Sequence, residues 1–262
     1  MRIVRTYVLA FLSLPLAFPV FAQQTAATVQ RDALAVATLN EAIAVLGGSP
    51  SLAAIHDCVI SGSIQRSTGG APTVQTFTWT IAGDEFRLET GGIAPGVFLS
   101  GHGSPASIRG GKTLALNYHV ARANQPFFLP GYVLFAELNN PIYTLASAGS
   151  ASVQGIAAIH IHISDDSDAV GKLVTAQDWF FDPATFLPLR VEFRLPTNEN
   201  AADYSVASMD FADYRQTNGV MLPFRIAYSQ DGQVSAIAMV DKAIFNSGIP
   251  PSVFDASLGT AQ

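Results

Sequence analysis

Thr73-Val74-Gln75-Thr76-Phe77-Thr78-Trp79-Thr80-Ile81 is followed, across Gly83-Asp84, by Glu85-Phe86-Arg87-Leu88-Glu89-Thr90. In the first run Phe77, Trp79 and Ile81 alternate with polar residues; in the second Phe86 and Leu88 oppose Arg87 and Glu89. A period of two sends successive side chains to opposite faces, so each run is a strand with one apolar face. Outward from this hairpin the same reading gives candidate strands at 107–109, 113–118, 142–147, 153–164, 173–182, 187–195, 205–215, 220–229 and 233–243. Gly110-Gly111, Asn218-Gly219 and Asp231-Gly232 supply tight turns between them. Closely spaced strands with such turns predict an antiparallel meander rather than parallel crossovers.

Before His56 the period is helical. Leu34, Thr38, Leu39, Ala42, Ile43 and Leu46 make an apolar stripe over 31–46, which Gly47-Gly48 ends. Ser49-Pro50 starts a further short turn through Leu52 and Ile55. Between Pro126 and Pro141, a run containing Phe127, Phe128, Leu129, Tyr132, Val133, Leu134, Phe135 and Leu138 predicts a short helix near 131–139. It is too apolar to be freely solvated, so it must cover the sheet, plug a barrel or touch a ligand. The fold class is mainly β with helices (α+β).

The chain is 262 residues long, 49% hydrophobic and only 13% charged, so a large core is available and disorder is excluded as its main state. Fourteen basic against twenty acidic residues leave no cationic surplus for nucleic acid. Arg2 and Arg5 precede an apolar stretch broken by Pro15 and Pro19, and Val20-Phe21-Ala22 offers a cleavage site before Gln23. Residues 1–22 therefore read as a cleaved secretory signal, and 23–262 as one domain with no stable membrane span. Cys58 is the only cysteine, so no internal disulfide forms and no acyl-anchor site follows the signal. The periplasm is the expected destination, with the extracellular medium as the alternative.

Further residues carry a family resemblance. The order helix, Leu46-Gly47-Gly48, Leu52 to Ile55, then Gly62 in the first strand is similar to the opening of exported LolA-like proteins, the outer-membrane lipoprotein-sorting superfamily. Residues 179–190, Trp-Phe-Phe-Asp-Pro-Ala-Thr-Phe-Leu-Pro-Leu-Arg, resemble its strand–turn–strand signature. Asp213-Tyr214-Arg215, Asn218-Gly219-Val220 and Leu222-Pro223-Phe224 resemble the next hairpin, and Asn246, Ile249-Pro250 and Phe254 its close. The resemblance implies an incomplete, curved antiparallel barrel covered by the N-terminal helix and the apolar helical insertion. It also implies a non-catalytic carrier of a lipid, a lipoprotein acyl chain or another hydrophobic ligand, with an envelope protein as a further partner.

Phe77, Trp79, Phe86, Leu88, Phe128, Tyr132 and Phe135 are the candidate cavity residues. Each buried ligand methylene contributes about 0.8 kcal/mol, so a sixteen-carbon chain gains on the order of 10 kcal/mol before entropic costs. Ordinary core packing is the competing explanation for any one of them. His160 and His162 share a strand face and are the sequence's nearest approach to a metal site, with Asp165, Asp166 and Asp168 following and His102 or His119 as third ligands. Ile159, Ile161 and Ile163 claim the core face, which leaves both histidines as solvated outer residues. No His-Glu-x-x-His, Gly-x-Ser-x-Gly, Walker A or dinucleotide motif occurs. No cofactor is expected. The alternatives to a carrier are a secreted metal-dependent or hydrolytic enzyme using His160 and His162, or an envelope interaction or sensing module.

Overall fold

Asp32 starts the first helix of the described residues: its carboxylate accepts from the Leu34 N–H at 2.8 Å, capping α1 (Ala33–Val45). The computed structural model describes residues 29–256 apart from 68–70, 93–94, 102–103, 124 and 198–199, so the expected signal at 1–22 and His102 lie outside the described residues. Helix α1 buries Ala35, Thr38, Leu39, Ala42 and Ile43. Leu34 is 59% exposed, because the stripe that faces the core runs through Ala35, Leu39, Ala42 and Leu46 instead. At Gly47 φ is +133°, and a side chain there would meet the Gly219 carbonyl at 2.7 Å. Helix α2 (Gly48–Ala53) follows.

The strands are β1 (Asp57–Arg66), β2 (Thr73–Ala82), β3 (Glu85–Thr90), β4 (Gly96–Gly101), β5 (Ser104–Arg109) and β6 (Lys112–Ala115). Helices α3 (Tyr118–Ala123) and α4 (Pro130–Asn139) come next. Then follow β7 (Tyr143–Val153), β8 (Ile156–Asp165), helix α5 (Ala169–Val174), β9 (Gln177–Phe181), β10 (Pro188–Pro196), β11 (Tyr204–Thr217), β12 (Val220–Gln230) and β13 (Gln233–Phe245). All join in one antiparallel 13-stranded sheet, ordered β6-β5-β4-β3-β2-β1-β13-β12-β11-β10-β9-β8-β7. Neighbours in space are neighbours in sequence except at β1–β13. The barrel is incomplete: β6 and β7 remain edges, and the chain crosses between them through α3 and α4.

Several boundaries differ from those predicted, each for a local reason. The run 153–164 splits at Gln154-Gly155, whose φ values of 53° and 81° make a tight turn between β7 and β8. The run 113–118 ends at Ala115, and Tyr118 already begins α3. Leu173 belongs to α5, capped by Asp168 accepting from the Gly171 N–H at 2.6 Å. Strand β4 escapes an alternation test because both its faces are covered. Phe98 packs on the main core, while Val97 and Leu99 form a second cluster with Ala106 and Ile108.

A bulge at Ser61/Gly62 bends β1, where a Cβ on Gly62 would sit 2.0 Å from the Met239 carbonyl oxygen. Asp57 ties the sheet's central seam together. Its carboxylate accepts from the Ser247 N–H at 2.7 Å, the Ser247 hydroxyl at 3.0 Å and the Gly248 N–H at 2.8 Å. Burial raises its pKa, yet these donors hold it below the ordinary value. The tail then forms a 3-10 turn (Pro251–Phe254) against β3 and β4, where the Arg87 guanidinium donates to the Val253 carbonyl at 3.2 Å.

Candidate functional site

The concave face of the sheet and the segment 125–139 meet in one apolar cluster. Phe77, Trp79, Phe86 and Phe128 are buried within it; Leu88, Tyr132 and Phe135 are half-buried against it. All seven candidate residues are thus brought together. Trp79 stacks on Phe128 at 4.1 Å between ring centroids and 12° between planes, and Phe77 tilts against Trp79 at 4.5 Å. Phe86 meets Phe98 at 5.4 Å. The alternation of β2 and β3 forces this convergence, because only one face of each strand is apolar.

Phe127 was not singled out from the sequence, yet it matters as much as Phe128. It meets Phe193 at 4.6 Å and the edge of Trp179 at 6.0 Å. The Phe127-Phe128 pair therefore pegs the cover into both walls, one ring on β2 and the other on β9 and β10. Tyr132 fastens α4 at its start, its hydroxyl donating to the Gly83 carbonyl at 2.9 Å. The Arg31 guanidinium fastens its end, donating to the carbonyls of Leu138 and Asn140.

Glu137 is the other residue that sequence reasoning missed. Its signal was available: one carboxylate in a helix whose other buried positions are Pro130, Gly131, Val133 and Leu134. It is 2% exposed. Its Oε1 accepts from the Gln177 amide, and Gln177 Oε1 accepts from the Trp179 indole N–H at 2.6 Å. Glu137 Oε2 is buried without a partner among the described residues. Burial drives its pKa up to about 8, against a smaller opposing effect of the Gln177 hydrogen bond. Glu137 is therefore mostly protonated at pH 7, and the cover docks as a neutral surface.

His160 and His162 lie on the opposite, convex face. Ile161 and Ile163 are fully buried behind them, and Ile159 packs against the same core. Both imidazoles turn to one atom: Asp178 Oδ1 is 2.7 Å from His160 Nε2 and 3.0 Å from His162 Nδ1. Burial would raise the Asp178 pKa, but the two histidines keep it low. The acidic hairpin is engaged elsewhere. Asp166 accepts from Ser164 at 2.7 Å and Lys172 at 3.0 Å, Asp165 accepts from the Ser167 N–H at 2.9 Å, and Asp168 caps α5. Among the described residues no group of three or more His, Cys, Asp or Glu is arranged to hold a metal. Cys58 is fully buried, and desolvation first, then Asp57, push its thiol up to about 12, so it is not a nucleophile.

Two segments that carried the family resemblance have clear geometry. The turn between β9 and β10 is built on Asp182, whose carboxylate accepts from the Ala184 N–H at 2.7 Å, and Phe186 completes it at φ 57°. Asn246 closes the sheet, accepting from the His56 N–H and donating to the Ala54 carbonyl, both at 2.8 Å.

Neither a family model nor a curated protein matches the sequence. Solved structures do match in three dimensions. A domain of the outer-membrane lipoprotein-sorting type from Vibrio parahaemolyticus aligns with TM-score 0.54 and 14% identity, covering 85% of this chain and 96% of that one. A LolA superfamily protein from Nitrosomonas europaea aligns with TM-score 0.54 and 11% identity, covering 84% and 97%. A DUF1329 family protein from Desulfovibrio piger gives TM-score 0.54 and 13% identity, covering 84% and 97%. At these identities the likeness concerns architecture alone: the protein has a LolA-like fold.

Proposed function

We propose that the protein is a non-catalytic carrier for a lipid, a lipoprotein acyl chain or a similar hydrophobic molecule. We also propose that it is exported to the periplasm by a signal at 1–22, leaving 23–262 as one domain. The observation that supports this reading best is the seating of Phe127 and Phe128 between two aromatic walls. A ligand entering the concave face would displace both rings. Each ring loses about 1.5–3 kcal/mol when it leaves an apolar site. Since each methylene returns about 0.8 kcal/mol, a chain of roughly eight carbons or more offsets that loss. Short apolar solutes therefore do not open the cover, whereas acyl chains of membrane length do.

In this reading Phe77, Trp79, Phe86 and Leu88 supply the fixed wall, and Phe128, Tyr132 and Phe135 the movable one. No bond is made or broken; affinity comes from burial, and release needs the cover to lift. Among the described residues no helix is long and apolar enough to cross a membrane. The test is mass spectrometry on protein purified without detergent, first native and then solvent-extracted. The expected result is acyl lipid at near-stoichiometric level, or its uptake when offered to the emptied protein. A folded protein that takes up no acyl lipid from a panel of chain lengths would overturn the reading.

A further inference from the structure

On the wing formed by β3 to β6, one face of the sheet changes character along the strands. Phe98 and Leu88 pack on the main core, so their face is the concave one. Across the ladder Leu88 pairs with Phe98, Phe98 with Ser107 and Ser107 with Leu114, so Leu114 faces the same way. It is nevertheless 65% exposed. One row further out, about 7 Å along the strands, Thr90 pairs with Gly96, Gly96 with Arg109 and Arg109 with Lys112. A Cβ on Gly96 would lie 3.6 Å from Arg109 Cγ, so the arginine stem crosses bare backbone on that same face.

Arg109 and Lys112 are directly opposed cations, an arrangement that destabilises a ladder. No carboxylate among the described residues offsets them, whereas Arg87, Arg190 and Arg215 each hold one. Edge-strand protection accounts for Lys112 but not for Arg109, which sits one strand inside the edge. The two charges stand beside a row that runs from exposed Leu114 past Ser107 to Phe98, and on through Phe86 to the core that holds the Trp79–Phe128 stack.

We infer that the cargo is an anionic amphiphile: its phosphate binds between Arg109 and Lys112, and its acyl chain follows Leu114 and Phe98 inward. This rests on the carrier reading and narrows it. The guanidinium supplies two parallel N–H donors to phosphate oxygens, and the ammonium adds a second cation. A lipid without a phosphate, such as a monoacylglycerol, gains only the apolar half of the site.

The test titrates the full mature chain with lysophosphatidylglycerol and a monoacylglycerol of one chain length, as monomers, following tryptophan fluorescence at low and high salt. The anionic lipid should bind at least about ten-fold more tightly at low salt, with the preference shrinking at high salt. The double variant Arg109→Ala/Lys112→Ala, on exposed positions, should erase the preference and leave monoacylglycerol binding unchanged. Equal affinities in the unaltered protein would overturn this inference while leaving the carrier reading standing. Binding of neither lipid would overturn both. Competition by glycerol phosphate alone at the same concentration would point to a free-anion site and overturn the lipid assignment.

Discussion

Replacing Glu137 by glutamine should make the protein more stable at alkaline pH and remove a pH dependence that the native chain carries. The carboxyl is fully buried and its pKa stands at about 8, raised from 4.5. The folded state thus holds a proton that the unfolded chain releases near 4.5. The stability linked to that proton is fully present below 4.5 and is lost as pH rises through 8. Across this window the shift corresponds to a ceiling of about 5 kcal/mol, at about 1.4 kcal/mol per pH unit between roughly pH 5 and 8. Glutamine keeps an oxygen for the Gln177 donor and stays neutral at every pH. Urea denaturation of both proteins at half-unit pH steps, read as the difference between them, cancels the histidines and the exposed carboxylates. The difference should be small at pH 5 and favour Glu137→Gln by about 3 kcal/mol or more at pH 8. Equal slopes for the two proteins, or a variant less stable at pH 8, would refute the assignment of a buried protonated carboxyl under the cover.

Four further outcomes follow from the geometry. Phe128→Ala should cost about 3–5 kcal/mol without ligand, yet tighten acyl binding, since less side chain must be displaced; calorimetry and lipid titration check the two signs. Phe135→Asp, at a half-buried position, should lower lipid retention at least about ten-fold while circular dichroism stays unchanged. Asp57→Asn should destabilise at pH 7 by about 2–3 kcal/mol, because donors from Ser247 and Gly248 lose a carboxylate partner. Since the native Asp57 pKa is lowered, its contribution is present above 3.8 and fades as pH falls through the folded value, so the variant's deficit should shrink in acid melts. Gly62→Ala should cost about 3 kcal/mol or more, its methyl driven into the Met239 carbonyl, as thermal unfolding would report.

What could be read in the chain depended on whether one face or two were covered. Strands β2 and β3 alternate cleanly where the concave face is apolar and the other polar, and the turns at Asn218-Gly219 and Asp231-Gly232 sit where φ is positive. Strand β4 stayed hidden because the tail buries its convex face, making Val97, Phe98 and Leu99 consecutively apolar. Helices α3 and α5 are too short to develop a period. At the site, the aromatic set was legible because local alternation points it inward. The Glu137–Gln177–Trp179 chain was not, since it joins residues forty positions apart in sequence through a contact that only the folded cover makes. The same limit explains His160 and His162: their shared partner, Asp178, lies on the neighbouring strand, whereas proximity in sequence suggested Asp165, Asp166 and Asp168.

The strand order also dictates a history for each molecule. Of the twelve strand pairings in the sheet, eleven join strands consecutive in sequence, but β1 finds its second neighbour only in β13, with Cys58 opposite Phe245. Contacts between such distant positions carry the largest loop-closure cost and are slow to form. Chain synthesis completes β1 to β6 early, and this wing then waits with a long open edge until the last strand arrives. Refolding from denaturant should accordingly show β7 to β13 gaining amide protection as one unit, with the β1–β13 seam protected last. A truncation that removes β13 would leave two half-sheets, each with an unpaired central edge prone to self-association.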